Sequence, residues 1–193
     1  MFNMKKLLLI LILTLSFQTL IKADDISDFE IEGMSIGDSL LDFFSQNEIK
    51  NYTKNYYDFS PNFEFVAIEI LDNSFKQYSG LQIHFKKNDK RFKIQSISGF
   101  DYFLDNIKDC YTRMKVVEDD FEKIFSNLNK RKTNFDHTGD PTGKSKVSAI
   151  YYTFENGDSV GINCYDWSKE MNYGDNFDIT LDTKEFFQAA SNL

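Results

Sequence analysis

One long amphipathic seam constrains this chain more than any other feature, and it lies between two stretches rich in β-formers. Ile107, Cys110, Met114, Val117, Phe121, Ile124 and Leu128 recur at steps of three and four, with Tyr111 and Phe125 widening the stripe and Asp105 placed to cap it. That period predicts a helix of roughly six turns with one apolar side. The same spacing suits a coiled coil, but strands on either side give the helix a sheet to lie across. Its outer face carries Glu118, Asp119, Asp120 and Glu122, read here as a solvated face rather than a cation site.

The flanking stretches set the rest of the fold. FEFVAIEIL (63–71) is apolar and β-branched, and LQIHFKK (81–87) alternates, with Leu81, Ile83 and Phe85 opposite Gln82, His84 and Lys86. Asn88-Asp89 turns the chain, and 91–103 returns to form a hairpin, with a bulge or bend near Ser96 to Gly99. After a polar loop at 130–145 come KVSAIYYTF (146–154) and SVGINCYDW (159–167), joined through Asn156-Gly157, the strongest hairpin signal in the chain. FDITLD (177–182) is a last strand, and Thr183 caps a closing helix. At the other end, Ser35 with Asp38 predicts a capped helix through Ile36, Leu40, Phe43 and Phe44. Ser45 with Glu48 forms a capping box for a short second helix. The expected fold is α+β: antiparallel sheet or sheets packed on a long core helix. The order is helix-helix-β-β-β-helix-β-β-β-helix, which suggests two helix-β3 repeats, with helices covering one face.

The first 23 residues read as a secretory signal. Lys5 and Lys6 precede the apolar run Leu7 to Phe17, and Ile21-Lys22-Ala23 ends at a small residue. That run is short for a bilayer span, and no cysteine stands at the junction to take a lipid. Residues 24–193 then form a single exported domain, periplasmic or secreted, with no membrane contact after cleavage. Losing Lys5, Lys6 and Lys22 takes the net charge from −8 to −11. Such acidity repels phosphate backbones, so nucleic acid is not an expected partner. Aromatic residues make up 16% of the chain. Few Arg against many Lys, with much Asn and Ile, points to an AT-rich genome, so aromatic stripes alone do not mark a binding surface.

No motif carries chemistry. GDPTGKS (139–145) has three residues between its glycines where a phosphate loop needs four, and it opens a strand rather than a helix. Asp140-Pro141-Thr142-Gly143 fits a type I turn instead. His84 lies on the polar side of its strand and reads as a surface histidine. His137 sits in a loop near Asp136 and Asp140, also without a histidine or cysteine at ligand spacing. No metal, no cofactor and no catalytic residue is expected. Asn51-Tyr52-Thr53 would accept a glycan only in a eukaryotic secretory route.

The segment IEGMSIGDSLLDFF (31–44) resembles the opening of the SmpA/OmlA outer-membrane assembly lipoproteins and of the repeats of the β-lactamase inhibitory protein, where GMS or GMT precedes a capped helix. Those are helix-plus-antiparallel-sheet modules that bind proteins. Here Phe43-Phe44-Ser45-Gln46 replaces their Leu-Gly-x-Pro turn, and the lipoprotein cysteine is missing. The whole chain is similar to exported proteins of AT-rich Gram-negative bacteria. That similarity implies no activity; the signal, the missing catalytic constellation, the aromatic strands and the resemblance of residues 31–44 together point to a non-enzymatic module that binds a protein or an envelope component. The alternative is a small envelope hydrolase using scattered carboxylates or His137.

The two cysteines close the reading. Cys164 shares a strand face with Val160 and Ile162, and Cys110 sits in the helix seam, so both thiols face one interior. In an oxidising compartment an even count reads as a disulfide, hence an expected Cys110–Cys164 bond, with Trp167 on the opposite face near the rim.

Overall fold

The computed structural model describes residues 25–104 and 106–193. The apolar leader with its cleavage site, and Asp105 as the expected cap, lie outside them. Eight strands are present: β1 (Thr53–Lys54), β2 (Phe65–Leu71), β3 (Gly80–Lys86), β4 (Ser96–Tyr102), β5 (Asn129–Asp136), β6 (Lys146–Thr153), β7 (Ser159–Asp166) and β8 (Asn176–Asp182). The α-helices are α1 (Gln46–Tyr52), α2 (Ile107–Ile124) and α3 (Lys184–Ala190). The strands make one antiparallel sheet in the order β1-β2-β3-β4-β8-β7-β6-β5. Each half of the chain is thus a helix followed by a four-strand meander, α1 before β1–β4 and α2 before β5–β8. The meanders meet through their last strands, which pair from Ser96↔Asp182 to Tyr102↔Asn176. The expected helix-β3 order becomes helix-β4.

The fold is mixed α+β, as expected, but the sheet dominates it. The seam helix is 18 residues long, and only Cys110, Met114 and Glu118 of it are buried. It covers β7 and β8 rather than forming the centre of a core. Asn106 stands at its N-cap without a side-chain capping bond. The core lies between this helix and one side of the sheet. Residues directly opposite in antiparallel strands point to the same side, and the row Ile68, Ile83, Ile97, Leu181, Val160 and Tyr152 is paired across six strands. All six are buried. Leu40 and Ile49 from the N-terminal segment join the same cluster.

Three expectations are corrected here. The capped helix expected over Ile36 to Phe44 is a single 3-10 turn, Leu40–Asp42. Gly37 takes a positive φ of 90°, which breaks helical continuation. The segment then pairs elsewhere: the Leu40 N–H donates to the Phe92 carbonyl and the Ile94 N–H to the Asp38 carbonyl. That tether also delays β4 to Ser96, although the expected pairing of β3 with β4 is present. The capping box at Ser45 and Glu48 does open α1. Second, residues 130–145 are not all loop, because β5 pairs with β6 along its whole length. Third, Glu118 is not on a solvated face. It is 2% exposed and accepts ion pairs from Lys130 and Lys132 of β5. Burial would raise its pKa, but those ammonium groups outweigh burial and hold the carboxyl below its ordinary value.

The turn expected at Asp140 to Gly143 is closed by the Gly143 N–H on the Asp140 carbonyl. Asn156-Gly157 joins β6 and β7 in the expected hairpin, with Gly157 at a φ of 94°. Cys110 and Cys164 are bonded, with Cα atoms 6.0 Å apart. The bond ties α2 to β7 and is compatible with an oxidising compartment. Among the described residues no helix is long and apolar enough to cross a membrane.

Candidate functional site

The other side of the sheet is built differently. His84, Ser96, Asp182 and Ser159 form one row across β3, β4, β8 and β7. Gln82, Ser98, Thr180, Gly161 and Tyr151 form the next, continuing onto β6. Phe100, Asp178, Asn163 and Ala149 form a third. Strand alternation places these side chains opposite the apolar core. A sheet face this polar would ordinarily be solvated. Here its centre is buried: Asn163 is 2% exposed, Asp178 7% and Asp182 6%.

Local folding explains the cover. β8 ends at Asp182, and Thr183 then accepts the Phe186 N–H at 3.2 Å to open α3. The helix folds back over the polar side, so helices do not cover one face only. The Phe186 ring lies 4.4 Å from that of His84 and 5.2 Å from that of Phe65. The Phe187 ring lies 5.1 Å from that of Tyr151. Tyr57 reaches in from the loop before β2, with its hydroxyl 2.8 Å from Nε2 of His84. His84 is therefore on the polar side of its strand, as alternation required, but it is 3% exposed, which corrects its reading as a surface residue. Alternation assigns a side; it does not report what covers that side.

The electrostatics follow from burial with little compensation. Asn163 Nδ2 donates to Asp178 Oδ1 at 2.7 Å. Burial raises the Asp178 pKa to about 7, against that hydrogen bond and with help from the charge of Asp182. Burial raises Asp182 to about 6, opposed by the hydroxyls of Ser96 and Thr180. His84 is pushed the other way by burial, to about 3, and stays neutral. Burial also raises Tyr57, Tyr151 and Tyr165, with the carboxyl of Asp182 adding to each. Among the described residues several buried atoms on this side have no hydrogen-bond partner: Asn163 Oδ1, Asp182 Oδ1, Ser159 Oγ, His84 Nδ1, and Thr180 Oγ1, which sits beside Asp182 without a well-formed bond. Such atoms ordinarily carry a cost of about 1–3 kcal/mol each, so a cluster of them in one place asks for an explanation.

Asp178 and Asp182 stand four residues apart on one strand, about 13 Å between Cα atoms at ordinary strand rise, and each has its own neighbours, Asn163 for Asp178 and the hydroxyls of Ser96 and Thr180 for Asp182. Among the described residues no three His, Cys, Asp or Glu side chains gather into a metal site. Two shallow clefts, of about 270 and 280 Å³, lie at residues 60–65 and 61–64, by α3 and by Lys86 to Asn88; Asp178 lines neither.

Packing on this side leaves no room at Gly161. A Cβ there would run into Thr180 Oγ1 and sit 3.3 Å from the Tyr151 ring. Gly161→Ala is expected to cost about 1–3 kcal/mol by overpacking, read as a shift of the urea midpoint at unchanged slope.

His137, Asp136 and Asp140 do not converge into a site. Asp136 pairs with Lys146 at 2.6 Å. Asp140 accepts from the Thr142 and Ser145 N–H groups and from the hydroxyls of Ser145 and Ser168. His137 Nδ1 accepts the Gly139 N–H, and its ring packs 4.4 Å from that of Trp167. Trp167 stacks on Tyr165 at 5.9 Å and donates its indole N–H to Asn176. It is half-buried on the polar side, away from Cys164. Asn51 is exposed at the end of α1.

The groups gathered at the site, Asp178, Asp182, Asn163 and Ser96 among them, are not those singled out from sequence. The signal was present in FDITLD, whose alternation sets Asp178, Thr180 and Asp182 on one side, opposite Asn163. No protein-family model, curated protein or solved structure matches this chain.

Proposed function

We propose that this chain is a non-enzymatic exported module, periplasmic or secreted, that binds a protein or an envelope component through the polar side of its sheet. One observation carries the reading: the cluster of buried polar atoms without partners that spans β3, β7 and β8. A binding partner is one way to satisfy them. The resemblance of residues 31–44 to protein-binding helix-plus-sheet modules and the Cys110–Cys164 bond support the same class and compartment. The alternative, a hydrolase using scattered carboxylates or His137, has less support, since His137, Asp136 and Asp140 each bond to different groups.

The test is affinity capture from host envelope extract with three baits: the wild type, Tyr102→Glu at the rim of the polar side, and Val116→Glu on the outer face of α2. Both positions are exposed, and a thermal melt of each variant checks that it is folded before capture. The reading expects one partner retained by the wild type and Val116→Glu and lost with Tyr102→Glu. Equal capture by all three, or turnover of ester, phosphate or glycoside substrates by the purified domain, would overturn it.

A further inference from the structure

The orphan atoms have a chemical bias. Asn163 Oδ1 and Asp182 Oδ1 are acceptors, and Asp178 is a carboxyl whose only side-chain donor among the described residues is Asn163. A ligand for them must bring donors. Carboxyls buried without a cation favour a positively charged donor over a neutral one. The surroundings agree. The sheet positions nearest the acids are Ser98, Thr180, Gly161 and Ser159, none of them basic, and at the edge of the site the Arg131 guanidinium already lies over the Tyr151 ring at 5.9 Å, a contact of the kind aromatic faces make with cations. The domain as a whole carries excess negative charge, which steers basic partners toward it. The faces of Trp167 are already occupied by His137, Tyr165 and Tyr173, so the rim is not an open stacking platform for a sugar.

We propose, resting on the binding reading above, that the polar side of the sheet receives lysine or arginine side chains of a partner protein, seated at Asp178 with Asn163 and at Asp182. The Cα atoms of Asp178 and Asp182 are about 13 Å apart on one strand face at ordinary strand rise. That spacing matches side chains four residues apart on an extended segment, so a basic stretch of a partner lying along β8 can reach both. Entry requires the Tyr151 ring, which packs over Gly161, to move aside, and α3, whose Phe186 covers His84 in the Asp182 row and whose Phe187 packs on Tyr151, to lift from the sheet.

The experiment uses the disulfide-bonded domain and four probes: a nona-arginine peptide, a Gly-Ser peptide of equal length, oligoglutamate and spermidine. Binding is followed by the fluorescence of Trp167 and by calorimetry at roughly 150 mM salt, where loose surface attraction is screened. The expected result is saturable binding of the arginine peptide alone, weakened about tenfold or more in Asp178→Asn/Asp182→Asn. The same charge change on α2, Asp119→Asn/Asp120→Asn, should leave affinity within about twofold. Equal weakening by both variants, or no binding of the arginine peptide, overturns the proposal. Spermidine binding as tightly as the peptide would move the site to free polyamines and overturn the protein partner. These outcomes are separable from the binding reading: if the capture experiment retains a partner that the double Asn variant also retains, that reading stands and the cation inference falls.

Discussion

Replacing Cys110 and Cys164 together with alanine is expected to lower the melting temperature by about 10 °C. The bond closes a loop across 54 residues of sequence. In the chain-entropy model a loop of that size restricts the unfolded ensemble by about 4 kcal/mol, and a domain of this length loses about 2–4 °C per kcal/mol. Both sulfurs are fully buried between α2 and β7, so their loss also removes packing under the helix. Thermal unfolding of the double variant, and of the wild type under reductant, measures this. A change under about 2 °C in both would show that α2 is held by its other contacts, among them Arg113 over the Phe177 ring at 4.5 Å and the Arg113–Asp101 ion pair.

The second large effect concerns pH and runs against the usual direction for carboxylates. Asp178 is raised to about 7 and Asp182 to about 6 by burial. Between the ordinary carboxylate range and those values, the folded state binds more protons than the unfolded one. Stability from these groups is therefore fully present below about pH 4 and is lost as pH rises through 6 and 7. For Asp178 a shift of that size corresponds to roughly 4 kcal/mol. Asp178→Asn keeps an acceptor for Asn163 Nδ2 and removes the charge. It should melt about 8 °C or more above the wild type at pH 8 and nearly with it at pH 4. Destabilisation at pH 8 would mean that the ionised carboxylate is compensated in the free protein, and the case for an external cation would go with it.

Much of the fold was legible because local signals and tertiary structure agree. The Ser45–Glu48 box, the Asn156-Gly157 turn and the alternation of β3, β6 and β7 each rest on short-range physics that packing leaves intact. The failures have identifiable causes. β5 reads NKRKTNFD and is polar on both sides, because it is an edge strand whose lysines discourage further pairing and reach back to Glu118. Residues 36–44 carry a helical apolar period, but the pairing of Ser39 with Lys93 gives their backbone groups partners that a helix would have excluded. The candidate site was half legible. Periodicity sets Asp178, Thr180 and Asp182 on the side away from Cys164, yet burial there depends on α3 and Tyr57 folding over from other parts of the chain. Nothing in the local sequence of β8 records that.

The central claim is that this protein meets its partner through the polar side of the sheet. It is tested most directly by placing a photo-crosslinking amino acid at Tyr102 or at Val116, exposed by 45% and 60%, and irradiating the full chain in its host. The account predicts a discrete adduct from position 102 and none from position 116. An adduct from 116 alone would contradict it and place the binding surface on α2.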